Sequence, residues 1–412
     1  MFGFGLRKAT TTTPARADRW HVLGIELNSC LLRAVAVGNQ RVRTVALDAP
    51  HDVLPLSVTM DRRTPDVGHA GLATCRVTPH SVCSNFLGVL GQPQEWRGAK
   101  LTLNPESAMA VVMHKAASLL STESDAAVLV LPSYLTPSQV RILQELTHGT
   151  RWPVHGTATA ALAVASHRAS TVGLGPRGEE RIILLIDADE FALSATLVNI
   201  QETEVRFVDS MTFPKAATRL WKEQLINGLA DLCVRLCRRD LRDSAQAEQD
   251  LYLQLEGAMD HARRNERVQL TLRAEHWYQD ITLTPDDLQK IAAPVCRCAM
   301  DGLKEFLVST ALRHPPHAVW LSEAAARLPG LAASIYKHSP ETTQLSLLPA
   351  TAFAESAAAL VPRWLAGQLP LVHLDTTIAH EHPLKRVEST QALPSRGATT
   401  RPALPKQSTA KE

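Results

Sequence analysis

Apolar runs rich in β-branched residues recur along the first part of the chain in short, closely spaced blocks. Trp20-His-Val-Leu-Gly-Ile-Glu26-Leu, Cys30–Val37 and Arg41–Leu47 predict three consecutive strands joined by short turns. Residues 50–103 carry prolines at 50, 55, 65, 79 and 93 and predict mostly loop. The pattern then changes period. Met109, Val112, Met113, Ala116 and Leu120 predict a helix from Pro105 to about Leu120, and Ala127–Leu131 predicts a buried strand. Thr136-Pro137-Ser138-Gln139 has the form of a capping box with proline at the first helical position, opening a helix through Val140, Leu143 and Leu146. The Ala-, Leu- and Val-rich stretch 158–165 predicts another helix, and Gly173–Gly178 a linker.

The second half repeats the layout. Ile182–Asp187 and Ala195–Ile200 predict two strands joined by a tight turn, followed by a third strand at Val205–Asp209. Helices are expected over about 218–239 and 245–264, a strand pair at 267–272 and 278–283, and a helix capped by Thr284. A strand at His317–Leu321 and a helix at Phe353–Ala366 close the ordered part. Two meander-plus-helix halves of similar layout imply an internal duplication.

Composition changes this picture little. With 412 residues, 45% apolar and 20% charged, the chain has material for two domains with sizeable cores. Its 43 basic and 41 acidic residues give no global field, which argues against nucleic acid as a partner. The sequence offers no membrane-spanning run and no signal-peptide core, so a cytoplasmic protein is expected. Seven scattered cysteines, Cys233/Cys237 and Cys296/Cys298 among them, lack zinc spacing and read as buried thiols. Residues 1–18 and those after about 376 are polar and aperiodic and are expected to be disordered.

Several motifs carry a resemblance. Ala127-Val-Leu-Val-Leu-Pro-Ser-Tyr134-Leu-Thr-Pro-Ser-Gln139, Val154-His-Gly-Thr-Ala-Thr-Ala-Ala-Leu-Ala163, Leu56-Ser57 with Gly68-His-Ala70, Arg327-Leu-Pro-Gly330 and Pro349–Leu360 are similar, in order and spacing, to the nucleotide-binding domain of the seventy-kilodalton heat-shock (DnaK-type) chaperones. The resemblance runs from about Val22 to Asp375. It implies an α/β, two-lobed, actin-like ATPase fold (a duplicated ribonuclease H-like unit), with lobe I at 19–178 and lobe II at 179–369, its last helix returning to lobe I. A linker-like segment and tail follow at 370–412.

In that family two glycine-rich hairpins hold the phosphates of ATP. Here the first becomes Glu26-Leu27-Asn28-Ser29-Cys30 and the second Asp187-Ala188-Asp189-Glu190-Phe191-Ala192, both without glycine. Only a residue lacking Cβ lets backbone N–H groups close on a polyanion, and two carboxylates beside a triphosphate add repulsion. The family's lysine corresponds to Leu87 and the glutamate of its Glu-Pro-Thr to Gly156. The adenosine loop becomes Glu323-Ala324-Ala325, and the basic residues after Glu256 become Met259 and Asp260.

The remnant of the site is therefore Glu26, Asn28, Ser29 and Asp187, with Glu26 and Asp187 as magnesium-side acids. Pro370–Thr376 resembles the family's apolar interdomain linker, which makes Val372 and Leu374 candidate partner-binding residues. The residues after it are too few and too polar for a peptide-binding domain. The expectation is a monomeric, non-hydrolysing pseudo-ATPase without a cofactor, acting as a scaffold or regulatory module for unidentified protein partners. The alternatives are a weak Mg-ATP-binding switch and an actin-like cytoskeletal or cell-division component.

Overall fold

A computed structural model describes residues 22–38, 41–121, 124–150, 152, 154–172, 174 and 180–381. The expected disorder at 1–18 and at 382–412 lies outside these residues, as does most of the Gly173–Gly178 linker.

Two mixed sheets dominate the architecture, and they are built alike. In the first, β1 (Val22–Leu27), β2 (Leu31–Gly38) and β3 (Arg41–Thr44) form an antiparallel meander. After α1 (Pro105–Leu120), strand β4 (Ala126–Leu131) pairs parallel with β1. After α2 (Pro137–Gly149), strand β5 (Val154–Thr159) pairs parallel with β4, giving the order β5-β4-β1-β2-β3. Helix α3 (Ala160–Val172) follows.

In the second sheet β6 (Arg181–Ala188), β7 (Leu193–Ile200) and β8 (Glu204–Phe213) form the meander. Helices α4 (Thr218–Cys237), α5 (Ala245–Arg263) and α6 (Pro285–Ser309) come next, with a two-stranded hairpin (Val268–Ala274 and Trp277–Leu283) between α5 and α6. Strand β9 (Ala318–Leu321) then pairs parallel with β6, and after α7 (Glu323–Arg327) strand β10 (Gln344–Leu347) pairs parallel with β9. The order β10-β9-β6-β7-β8 matches that of the first sheet strand for strand, so the duplication expected from the sequence holds at the level of topology.

Strands apolar at every position face two cores, which is why they read as unbroken runs. Ala127, Leu129 and Leu131 enter the core of the first half, while Ala126, Val128 and Val130 enter a third core shared with the second sheet. Leu184, Ile186 and Ala188 enter the core of the second half, while Ile183 and Leu185 join the shared one. Helix α8 (Ala352–Leu365) packs into that shared core against β1. The contact is close enough that a Cβ on Gly24 would stand 1.8 Å from the Ala354 carbonyl oxygen.

Three expectations are corrected. Residues 154–159 form β5, and the helix begins only at Ala160. Parallel pairing with β4 and the buried, β-branched Thr157 and Thr159 override the helical propensity of the alanines. The proline-rich stretch 50–103 is organised by short strands, Ser57–Thr59 pairing with Asp66–Val67 and with Val82–Ser84. The chain also stays ordered beyond residue 376. Leu374 exchanges backbone hydrogen bonds with Thr157 and Thr159 at the edge of the first sheet, and β11 (Thr377–Ala379) then pairs with β8 at the edge of the second.

Candidate functional site

The turns β1–β2 and β6–β7 meet at the centre of the molecule. In the first, Asn28 Oδ1 accepts the N–H groups of Cys30 (2.9 Å) and Leu31 (3.0 Å), and its amide donates to Glu26 Oε1 at 3.0 Å. This side-chain turn takes the place of a glycine conformation. In the second turn Asp189 Oδ1 accepts from Phe191 N–H (2.9 Å) and Ala192 N–H (3.0 Å).

The turns are also bonded to each other. Asp189 Oδ2 accepts from Ser29 N–H at 3.0 Å and from the Tyr134 hydroxyl at 2.5 Å. Ser29 Oγ accepts from Phe191 N–H at 2.8 Å, and Cys30 Sγ from Glu190 N–H at 3.1 Å. Asp189 is thus a buried carboxylate ringed by donors, three backbone N–H groups and a phenol. Burial pushes its carboxyl above the usual range while these bonds pull it back. The same surroundings raise the Tyr134 hydroxyl, chiefly through burial and then through the Asp189 charge. Phe191 lies against Gly88, where a Cβ would come within 2.3 Å of its ring, and packs on Tyr134 at 4.8 Å between ring centroids.

Charged side chains close the space beside the turns. Lys222 sits on the apolar stripe of α4, buried, with Nζ 2.9 Å from Glu190 and 3.0 Å from Glu256. Burial is the largest single influence on its ammonium and lowers the pKa, but the charges of Glu190, Tyr252 and Glu256 together outweigh it and hold the pKa well above the ordinary value. Arg327 reaches Asp260 at 2.9 Å, Glu323 at 3.3 Å and Glu256 at 3.5 Å. Arg33 pairs with Glu26 at 3.2 Å and donates to the Ala350 carbonyl. Farther out, Arg76 pairs with Glu223 and, at 3.2 Å, with Glu248, while buried Gln249 bonds both Arg76 N–H and the Leu72 carbonyl. These contacts tie the segment after the His69–Leu72 helical turn to α4 and α5.

What is left between the halves is a cavity of about 190 Å³, onto which Glu26, Asp187, Thr218, Glu256, Glu323 and Arg327 open. It is smaller than the several hundred Å³ usual for a small-molecule pocket. Burial, with the neighbouring charges of Asp189 and Glu26, lifts the Asp187 carboxyl to about 7, against the lowering influence of Ser322. The donor set does not fit a magnesium–nucleotide. The N–H groups of Ser29, Glu190, Phe191 and Ala192 are taken by protein acceptors, and the cavity is lined by more carboxylates than cations.

The structure therefore brings Glu26, Asn28, Ser29 and Asp187 together, with Met259, Glu323 and Ala324 on the same cavity. Of the linker pair, Leu374 is buried and Val372 is 60% exposed. Among the described residues no group of three or more metal-ligating side chains could hold an ion, and no helix is long and apolar enough to cross a membrane. Sequence reasoning missed Lys222, Arg33 and the role of Asp189. The signal for Lys222 was present, a lysine between Trp221 and Leu225 on the buried stripe of a helix. Asp189 read only as repulsion because its donors lie on three different segments. No protein-family model matches the chain, and no curated protein matches it.

Proposed function

We propose that this chain is a divergent relative of the heat-shock-70 nucleotide-binding domain, with an actin-like two-lobed fold, and that it works as a non-hydrolysing scaffold or regulatory module. The strand order repeated in the two sheets and the motif resemblance support the fold. The observation that carries the functional reading is the interlock of the two turns. Where a phosphate-binding protein presents backbone donors to its ligand, Ser29, Phe191 and Ala192 donate to Asp189, and Phe191 N–H also reaches Ser29 Oγ. Phosphoryl transfer depends on electrostatic stabilisation of the migrating group, and these donors are engaged elsewhere. The turn-to-turn bonds and the Arg76 contacts hold the halves together without nucleotide.

The test is calorimetric titration with ATP and ADP in the presence of magnesium, paired with thermal unfolding. A ligand that binds the folded state alone must raise the melting temperature. The reading expects neither heat nor shift at millimolar nucleotide. Saturable binding that disappears in Glu26→Ala and Asp187→Ala would overturn it in favour of a Mg-ATP switch, since both acids open to the same cavity. Partner capture is then the route to the physiological role, with the exposed Leu371 and Val372 as the first surface to alter.

A further inference from the structure

Away from the central turns, α3 and α8 pack together next to β11 and enclose a second pocket of about 250 Å³. Ser166 and Ser170, one helical turn apart, line it from α3, and Ser356 and Arg363 from α8. His380 and Glu381, just after β11, complete the wall.

Arg363 is only 7% exposed. Its Nη2 donates to the Ala379 carbonyl, but its buried Nε meets no acceptor. Among the described residues no carboxylate comes within ion-pair distance of it. A guanidinium in this state is costly, because its Nε–H has left water without finding an acceptor. Burial accordingly depresses its pKa, with the charge of Glu381 opposing only in part.

We propose that this pocket binds a phosphate group, free or carried on a small phosphomonoester. Guanidinium supplies the charge and the forked donors that phosphate oxygens match. The serine hydroxyls of α3 approach from a second helix and His380 from a third segment, an arrangement suited to a tetrahedral anion rather than a flat carboxylate. Ser356 contributes packing and an acceptor only, since its hydroxyl already donates to the Ala352 carbonyl at 2.6 Å. His380 Nε2 donates to the Gln201 carbonyl at 3.2 Å, and burial favours the neutral ring, so Nδ1 is an acceptor and serves only a protonated phosphate oxygen. Glu381 is exposed and acts as an acidic gatepost that weakens anion entry. The volume admits a phosphate with a short stem.

The experiment titrates the full chain with inorganic phosphate, glycerol phosphate and acetate, followed by calorimetry and thermal unfolding. Inorganic phosphate is expected to bind and to raise the melting temperature, with the effect lost in Arg363→Met and strengthened in Glu381→Gln. Should Arg363→Met fail to fold, Ser166→Ala with Ser170→Ala keeps the test open, and a loss of about threefold or more in affinity is expected there. Glycerol phosphate binding as well as inorganic phosphate assigns the site to esters, and binding less well assigns it to the free ion. The proposal is overturned by absence of binding in both wild type and Glu381→Gln at about 20 mM phosphate, by unchanged binding in the serine and arginine variants, or by acetate binding as tightly as phosphate.

Discussion

Asp189 takes the backbone N–H of Ser29 at 3.0 Å, a bond between residues 160 positions apart that joins the first turn of one half to the first turn of the other. Its carboxylate serves donors from both turns and from Tyr134 at once. Asp189→Asn replaces one acceptor oxygen with an NH2 group that faces N–H and O–H donors. The expected cost is about 2–4 kcal/mol in urea unfolding, above that of a single hydrogen bond because several donors lose their partner together. Tyr134→Phe, which removes one donor, is expected to cost about 1 kcal/mol.

Lys222 is expected to behave as a keystone rather than a surface charge. Lys222→Met takes the cation from Glu190 and leaves Glu256 with Arg327 at 3.5 Å, and should destabilise by about 2 kcal/mol, because a largely buried charge at Glu190 loses its partner. Adding Glu190→Gln should recover part of the loss. A double-mutant cycle by chemical denaturation checks it, and additive effects would rule out the coupling.

The raised pKa of Asp187 fixes a pH dependence. Below about pH 4 the carboxyl is protonated in the folded and the unfolded chain alike, so its full contribution is present. Between its ordinary value of 3.8 and about 7 the unfolded chain gives up the proton and the folded chain retains it, so stability falls through that window and levels above it. Asp187→Asn should therefore match wild type near pH 4 and exceed it at pH 8 by about 2 kcal/mol, a conservative share of a shift of this size. Urea midpoints measured from pH 4 to 8 decide the point.

Two glycines should respond oppositely to alanine. At Gly24 a Cβ would stand 1.8 Å from the Ala354 carbonyl oxygen and 2.3 Å from the Ala358 nitrogen, so Gly24→Ala must push α8 off β1. A loss of more than about 3 kcal/mol is expected, as for severe core overpacking. At Gly257, within α5, nothing lies within 4 Å of the added atom, and Gly257→Ala should gain about 0.5–1 kcal/mol of helix propensity. Thermal melts of the two variants provide the comparison.

The linker-like segment divides in the same way. Leu374→Ala opens a cavity beside β5 and should cost about 2–3 kcal/mol, whereas Val372→Ala should stay within about 0.5 kcal/mol. A partner that docks on this segment must then be sensitive to Val372 without any change in melting temperature, which pull-down and unfolding assays on one variant separate.

Most of the regular frame was legible in the chain because local and global preferences agree there. Asn104 and Thr136 cap helices that begin at prolines, and the unbroken apolar runs of β4 and β6 match two buried faces. The reading failed where tertiary pairing outweighed propensity, as at Ala158, and where elements are too short to show a period, as at Gln344–Leu347 and Thr377–Ala379. At the central turns it identified the loss of glycine and the acids Glu26 and Asp187. It could not see that Asn28 and Asp189 satisfy the backbone in glycine's stead, because that depends on Ser29, Tyr134 and Phe191 arriving from distant segments.

A carboxylate tethered beside its donors differs from any dissolved anion in one respect, that it cannot be diluted. Its local concentration is set by the few bonds that join it to the turn, and such values exceed what a diffusing ligand reaches. An incoming polyanion has to evict a competitor that returns as soon as it is displaced. On the proposed reading, Asp189 fills from within the place an outside anion would take.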